Sequence, residues 1–577
     1  MSFPSVRGGS VERGPFAAFV IVGSPPLVAM SAHTPWWVGA SVVTVLFVTV
    51  TVRVNNRTTV RWLLDWAAYR VGRSARARER AEPGRIRDVE VASGVCGISE
   101  ADTTLVAMIQ LAPNLDLPTV IAERSLYTED TMAVEVLLPM LEQFGISVDI
   151  DIVTTGQRVR STGSYSMLYD QLIGSHPVVG DRLTWLVVRL DQERNLAALA
   201  RRGPCAVAAP KALAGAVHRI AGRLRERGIE ARPLPASALR DATRLLHGGV
   251  ELNDLRETWS CLESSAPGRC VTSYLIDWTR LDGAGLGDCW SWNRGRTTLV
   301  VSLTEDVAAP RALVRFVGPA VTNKPPDYLR LLTGRQSVAL MASLPTATSV
   351  RAVPTDESGA DVAPEEIAAE LAIPIGPNGQ ILGSLSGQPR HTLALPLFDP
   401  ARYNPRRRTI DVHAKLPVAQ QIVLRAMVVG ADVEVHSARP QSWQQLVAAV
   451  GDSRSLRLVE AQGGTGGSTG TDSDTNAPAT IAVFDQLSPR ASTAQTTVTI
   501  NEPGAPRRRA VDLTINQVGA TTVDVSIPMR TVRVDLIEPR GETRYFDSAE
   551  GPAAISAAPH GSEVPATAQQ PGGRRVS

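Results

Sequence analysis

The rhythm of hydrophobic and polar positions changes several times along this chain. From Gly14 to Val52 there is no Asp, Glu, Lys or Arg, an uncharged run of 39 residues. A membrane span takes about 20 apolar residues, so the run is long enough for two. It divides into 15–32 and 35–52 around His33-Thr34, each half reaching about 27 Å at ~1.5 Å per helical residue. Pro15 and Phe16 open the first half, which Pro25-Pro26 kinks. Trp36 and Trp37 open the second, where amphipathic rings favour the membrane interface, and Phe47 lies inside it. A signal peptide would have one short apolar core and a small-residue cleavage site. Here the second apolar segment runs straight into arginines, a stop-transfer pattern, and the reading is a transmembrane hairpin.

A helical rhythm follows over 58–80, where Val60, Leu63, Leu64, Ala67 and Val71 recur at helical spacing and Trp62, Trp66 and Tyr69 widen the apolar face. Beyond Pro83-Gly84 the pattern is mixed. It predicts strands over 95–98, 103–111, 146–153 and 183–190, and helices over 128–144 (Thr128 as N-cap, Gly145 as stop), 192–201, 206–227 and 236–246. Strands over 270–278, 297–303 and 312–317 come next, then a short helix over 336–344. A second unit has strands over 409–413 and 432–436 and helices over 418–429 and 442–450. After a Gly/Ser/Thr-rich linker, alternating runs from Ile481 to Phe546 predict a small all-β appendage. The fold class is therefore α/β (or α+β), anchored by an N-terminal two-helix hairpin. The predicted division is a cytoplasmic N-terminus 1–13, hairpin 14–52, basic juxtamembrane helix 53–90, α/β domain 91–345, flexible insertion 346–372, second α/β unit 373–462, linker 463–480, β-rich appendage 481–548 and disordered tail 549–577.

Charge fixes the orientation. The whole chain carries +2, too little for a dedicated nucleic-acid binder. Residues 53–90, however, hold ten arginines against five acids. Excess arginine stays on the cytoplasmic side, which places both termini and the large domains in the cytoplasm and the hairpin in the plasma membrane. Arg57, Arg61, Trp62 and Trp66 are the candidate contacts to headgroups or a partner subunit. Five widely spaced cysteines suit a reducing compartment.

Catalytic signals are weak. None of the three lysines follows a glycine, so a phosphate-binding Gly-Lys-Ser/Thr loop is missing. Asp149 and Asp151 in V-D-I-D-I fall on one strand face, where they would hold a divalent metal in a membrane-anchored glycosyltransferase-like enzyme. The regular alternation instead predicts a half-buried strand with its polar face in water. Gly466–Gly470 matches G-x-S-x-G but sits in the linker, with no strand before it. Cys261, Cys270 and Cys289 lack paired zinc-site spacing. No cofactor, metal or catalytic residue is assigned.

Two stretches carry a resemblance: LTWLVVRLDQERNLAALARRG at 183–203, and LRAMVVGADVEVHSARPQSW, with Arg425, Gly430, Arg439, Pro440 and Trp443. Together with the hairpin and the basic helix, they make the chain resemble the EccE family, the membrane component of mycobacterial and actinobacterial type VII (ESX) secretion systems, over roughly residues 14–460. The resemblance implies a non-catalytic subunit of an inner-membrane complex. It implies EccB-, EccC- and EccD-like partners, contact with the mycosin protease, and export of small helical WXG-type proteins driven by the EccC-like ATPase. Besides the enzyme, the competing reading is a membrane-tethered protein-binding module that uses the C-terminal β unit as its contact surface.

Overall fold

The computed structural model describes residues 53–54, 57–81, 84–101, 103–123, 125–160, 163–281, 285–292, 295–304, 307–321, 323–346, 363–459, 478–506, 508 and 510–546, together with Trp37, Val38, Ser41 and Thr44. Apart from those last four residues, the expected hairpin over 14–52 lies outside the described residues. Among the described residues no helix is long and apolar enough to cross a membrane. Seven α-helices of at least seven residues are described: α1 Thr59–Ala81, α2 Gly163–Ile173, α3 Cys205–Glu226, α4 Ala236–Leu246, α5 Gln336–Ala342, α6 Leu416–Val428 and α7 Gln441–Val450.

The first sheet is antiparallel throughout. Its order is Arg256–Glu257, Leu262–Glu263, Cys270–Ile276, Val307–Gly318, Arg296–Thr304, Asp149–Gly156, Leu183–Asp191, Thr104–Leu111, Gly94–Ala101, Arg85–Val91. Both faces are covered, so Thr104–Leu111 is buried at every position and reads as an unbroken apolar run. Leu105, Ala107 and Ile109 meet Leu213, Val217 and Ile220 of α3 on one face. Val106 and Met108 meet Leu239 of α4 and Leu340 of α5 on the other.

The second sheet is mixed. Six neighbouring strands run parallel, in the order Leu456–Leu458, Val433–Ser437, Ile481–Asp485, Thr496–Asn501, Arg408–His413, Leu513–Gln517. Antiparallel strands Thr522–Ile527, Arg530–Leu536, Gln380–Leu385, Gln388–Leu395, Thr119–Ile121 and Leu126–Tyr127 complete it. The crossover helices α6 and α7 share one apolar core with α2, as parallel strands require. The two sheets exchange chain: α2 and the strands at 119–127 come from the first half of the sequence yet build the second layer.

Three expectations are corrected. The β-rich segment after Ile481 is not an appendage. It supplies five strands of the second sheet, and Arg408–His413 lies between two of them. The expected 128–144 helix is instead a strand, Thr131–Ala133, and a 3₁₀ turn, Val134–Met140. Pro139 removes an α-helical hydrogen bond, and Val134, Leu137 and Met140 are buried at the three-residue period of a 3₁₀ helix. Finally, the strand bearing Asp149 and Asp151 is buried nearly throughout, not half in water, because helices cover both faces of the first sheet.

Candidate functional site

Helix α1 lies against the first sheet by a polar stripe. Tyr69, Arg76 and Arg80 recur at helical spacing and point inward. The Tyr69 hydroxyl donates to the Glu257 carbonyl at 3.2 Å, and its ring meets Trp259 edge-on at 5.4 Å. Arg76 Nε donates to Glu257 Oε2 at 3.0 Å, and that carboxylate is 1 % exposed. Arg80 Nη2 donates to the Leu255 carbonyl at 2.9 Å and Nη1 to the Ser337 hydroxyl. Burial pulls the Arg80 guanidinium below its ordinary pKa, against the pull of Glu257. The outer face is left with Trp66 (45 % exposed) and Val71 (83 % exposed), beside exposed Arg70, Arg73 and Arg78. The Arg70 guanidinium lies 5.7 Å from the Trp66 ring.

The other collar residues are only partly described. Arg57 belongs to the Arg57–Thr58 strand that pairs with Arg53–Val54, and Arg61 and Trp62 lie in the first turn of α1. The side chains of all three are outside the described residues. Trp37 is exposed, and its carbonyl accepts from the Ser41 hydroxyl at 2.8 Å. Pro15, Phe16, Trp36 and Phe47 lie outside the described residues.

Of the other five sequence-selected residues, Arg425, Arg439 and Trp443 pin the C-terminal segment to the body. Arg425 sits in an apolar helix, 1 % exposed. Its Nη2 meets Glu542 Oε2 at 3.0 Å, and its Nη1 donates to the Ile381 and Leu382 carbonyls at 3.0 and 3.1 Å. Glu542 also accepts from Gln421 Nε2 at 2.8 Å and from the Tyr165 hydroxyl. Burial alone would lower the Arg425 pKa, but Tyr165 and Glu542 beside it raise it. Arg439 grips Asp485 with two parallel bonds of 3.0 Å, the geometry that suits a guanidinium and a carboxylate. Trp443 Nε1 donates to the same carboxylate at 2.9 Å. Pro440 starts α7 at φ −59, a value its ring supplies. Gly430 has φ +122 and lies close to Asp181, and its carbonyl accepts from Arg160 at 3.2 Å.

Sequence reasoning selected Arg425 and Arg439 but missed their acids, and it missed Arg76 and Arg80 as well as Glu257. Glu257, Asp485 and Glu542 are 2 %, 0 % and 0 % exposed. The available signal was an arginine inside an apolar helix (IVLRAMVV), since a buried cation requires a buried partner.

The carboxylates proposed for chemistry are already occupied. Asp149 pairs with Arg194 at 3.0 Å. Asp151 pairs with Arg189 at 2.8 Å and accepts from the Ser302 hydroxyl at 2.6 Å. Among the described residues no group of three or more His, Cys, Asp or Glu side chains is placed to hold a metal ion. At the mouth of the parallel strands, the Lys415 backbone N–H that opens α6 is taken by Gln517 Oε1 at 2.8 Å. The neighbouring Asp411 accepts from Thr499 and Asn501 and bonds His413 at 2.8 Å.

A family model described as "Putative type VII ESX secretion system translocon, EccE" matches residues 178–276. The chain is 25% identical over 474 residues to the ESX-2 secretion system protein EccE2 of Mycobacterium tuberculosis, covering 78% of this chain and 82% of that protein. It is 27% identical over 358 residues to the ESX-1 protein EccE1 of Mycolicibacterium smegmatis, covering 60% of this chain and 71% of that protein. It is 28% identical over 340 residues to the ESX-5 protein EccE5 of Mycobacterium tuberculosis, covering 55% and 81%.

Proposed function

From the similarity to EccE proteins of type VII (ESX) secretion systems, we propose that the chain is a member of that family and a non-catalytic structural subunit of the inner-membrane complex. The hairpin over 14–52 anchors it with both termini in the cytoplasm. The two-sheet body stands on the cytoplasmic side and braces EccB-, EccC- and EccD-like partners. The subunit makes a further contact with the mycosin protease, and the EccC-like ATPase drives export of WXG-type proteins.

The observation that carries this reading is the seating of α1. Two of its arginines, Arg76 and Arg80, reach into the body, which makes the helix part of the folded unit and not a loose tether. Its Trp66, Val71, Arg70 and Arg73 are left facing outward. An apolar, basic outer face suits an anionic bilayer surface or a neighbouring subunit.

Paired carboxylates at Asp149 and Asp151 take away the basis of the enzyme reading. Interleaving of 481–536 with the second sheet takes away that of a separable binding module. Deleting this chain in its own host tests the proposal: export of a WXG-type protein should stop while the ATPase subunit is still made. Undiminished export refutes it.

A further inference from the structure

On the face of the first sheet opposite α1, a groove of about 400 Å³ runs between α3 and the hairpin that joins Glu142–Gln143 to Ile146–Ser147. Its floor is Ala208, Ala212 and Gly215, and Val207 and Phe144 stand on its rims. Phe144 is 81 % exposed; its φ of +53 and the +72 of Gly145 are what the two-residue turn of this hairpin requires, and the turn holds the ring out at the groove's edge, 5.1 Å from the Arg219 guanidinium.

Gly215 lies mid-helix, and a Cβ there would meet only the tip of Arg219 at 3.2 Å. With no side chain at 215, the groove floor is open to the close approach of a second backbone.

The charge around the groove has one sign. Arg202, Lys211 and Arg219 line it, and no carboxylate does. Arg202 donates to the Phe144 carbonyl at 2.7 Å and Arg219 Nε to Gln143 Oε1 at 2.8 Å, so their charges are not neutralised. Burial, then Arg202 and Arg223, pull the Arg219 guanidinium below its ordinary pKa. From Val207 to Arg219 the rim extends about 18 Å at ~1.5 Å per residue, the length of three helical turns.

We propose that this groove is a docking site for an acidic, apolar-faced helix of another subunit, whose small-residue face packs on Ala212 and Gly215 while its carboxylates meet Arg202, Lys211 and Arg219. A lipid surface fits less well. The helix leading to the membrane, α1, sits on the α5 face at the 256–263 edge of the sheet, whereas α3 covers the 85–111 edge on the other face. The proposal rests on the reading of this chain as a subunit of an assembly.

The test places a photo-crosslinking benzoylphenylalanine at Val207 of the full chain in its native membranes, followed by native gel electrophoresis and peptide mapping. Expected is a crosslink to an acidic helical segment of a different subunit within a high-mass complex. Lys211→Glu with Arg219→Glu should lower its yield about tenfold or more, because like charges then face each other. Gly215→Leu should lower it too, with the unfolding midpoint unchanged. Within an intact high-mass complex, a crosslink to lipid, to a second copy of this chain, or to nothing overturns the docking site alone. A chain that migrates by itself refutes the subunit reading, and the docking site falls with it.

Discussion

Replacing Glu542 by alanine removes the carboxylate that faces Arg425, and the geometry around that arginine sets the size of the loss. Breaking one side of a buried ion pair costs about 3–5 kcal/mol, because an uncompensated charge stays behind. Here Arg425 keeps three backbone carbonyls, those of Ile381, Leu382 and Ile537. That places the expectation near the lower end, about 3 kcal/mol. At roughly 2–4 °C per kcal/mol for domains of 150–250 residues, the unfolding midpoint should fall by about 6–12 °C. The assay is thermal unfolding of the full chain in mild detergent, followed by near-ultraviolet circular dichroism, to which buried Tyr165 and Trp443 contribute. The double variant Arg425→Met with Glu542→Ala also removes the stranded charge. It should be more stable than Glu542→Ala alone by at least about 1 kcal/mol, a non-additivity that adjacent partners show. A single variant that loses less than about 1 kcal/mol, or a double variant showing the plain sum of two losses, refutes the reasoning.

Three further outcomes are expected. Burial pushes the Asp130 carboxyl up to about 6, against the backbone N–H groups of Asn114 and Gly376 and the charge of Arg182. The folded state therefore holds that proton more tightly than the unfolded chain. Its contribution is fully present below about pH 4, where the unfolded carboxyl titrates, and is lost as pH rises through about 6. Asp130→Asn should thus stabilise the protein at pH 7 and leave it unchanged near pH 4, as read from the difference in midpoint between variant and parent. Burial likewise pushes the Cys96 and Cys289 thiols up to about 12. In native protein, iodoacetamide should modify half-buried Cys205 and Cys261 well before those two, which should react only on unfolding, as peptide mass mapping would record. Deleting 463–577 should give an insoluble or protease-sensitive product, because it removes five strands of the second sheet and the partners of Arg425 and Arg439. A stable, soluble truncated chain with native circular dichroism would show the segment to be separable after all.

Much of the body was legible because its elements are strongly periodic. Ala236–Leu246 was placed to the residue, and α3 and α6 were placed within two residues at each end. These helices bury one stripe and show it. What was missed was set by distant contacts. The 3₁₀ turn at 134–140 looks helical locally, and only its burial on every third residue and Pro139 decide otherwise. The strands after Ile481 look like a separate β unit because their pairing partners, Arg408–His413 and Val433–Ser437, lie before a long linker. No local pattern records that insertion. Strands Gln380–Leu385 and Gln388–Leu395 carry register shifts, which break the alternation that would announce them. Arg425 and Arg439 were singled out through the resemblance, whereas Arg76 and Arg80 were not distinguished among the ten arginines of 53–90, and Glu542 stands 117 residues from Arg425 in a segment with no apolar rhythm.

The central claim, a structural role in a membrane assembly, is tested most directly by extracting the secretion complex in mild detergent from cells with and without this chain and measuring its native mass. The account predicts a high-mass complex that contains this chain in fixed ratio to the ATPase subunit and that breaks into smaller species when the chain is deleted. A complex of undiminished integrity and export activity without it would contradict the account.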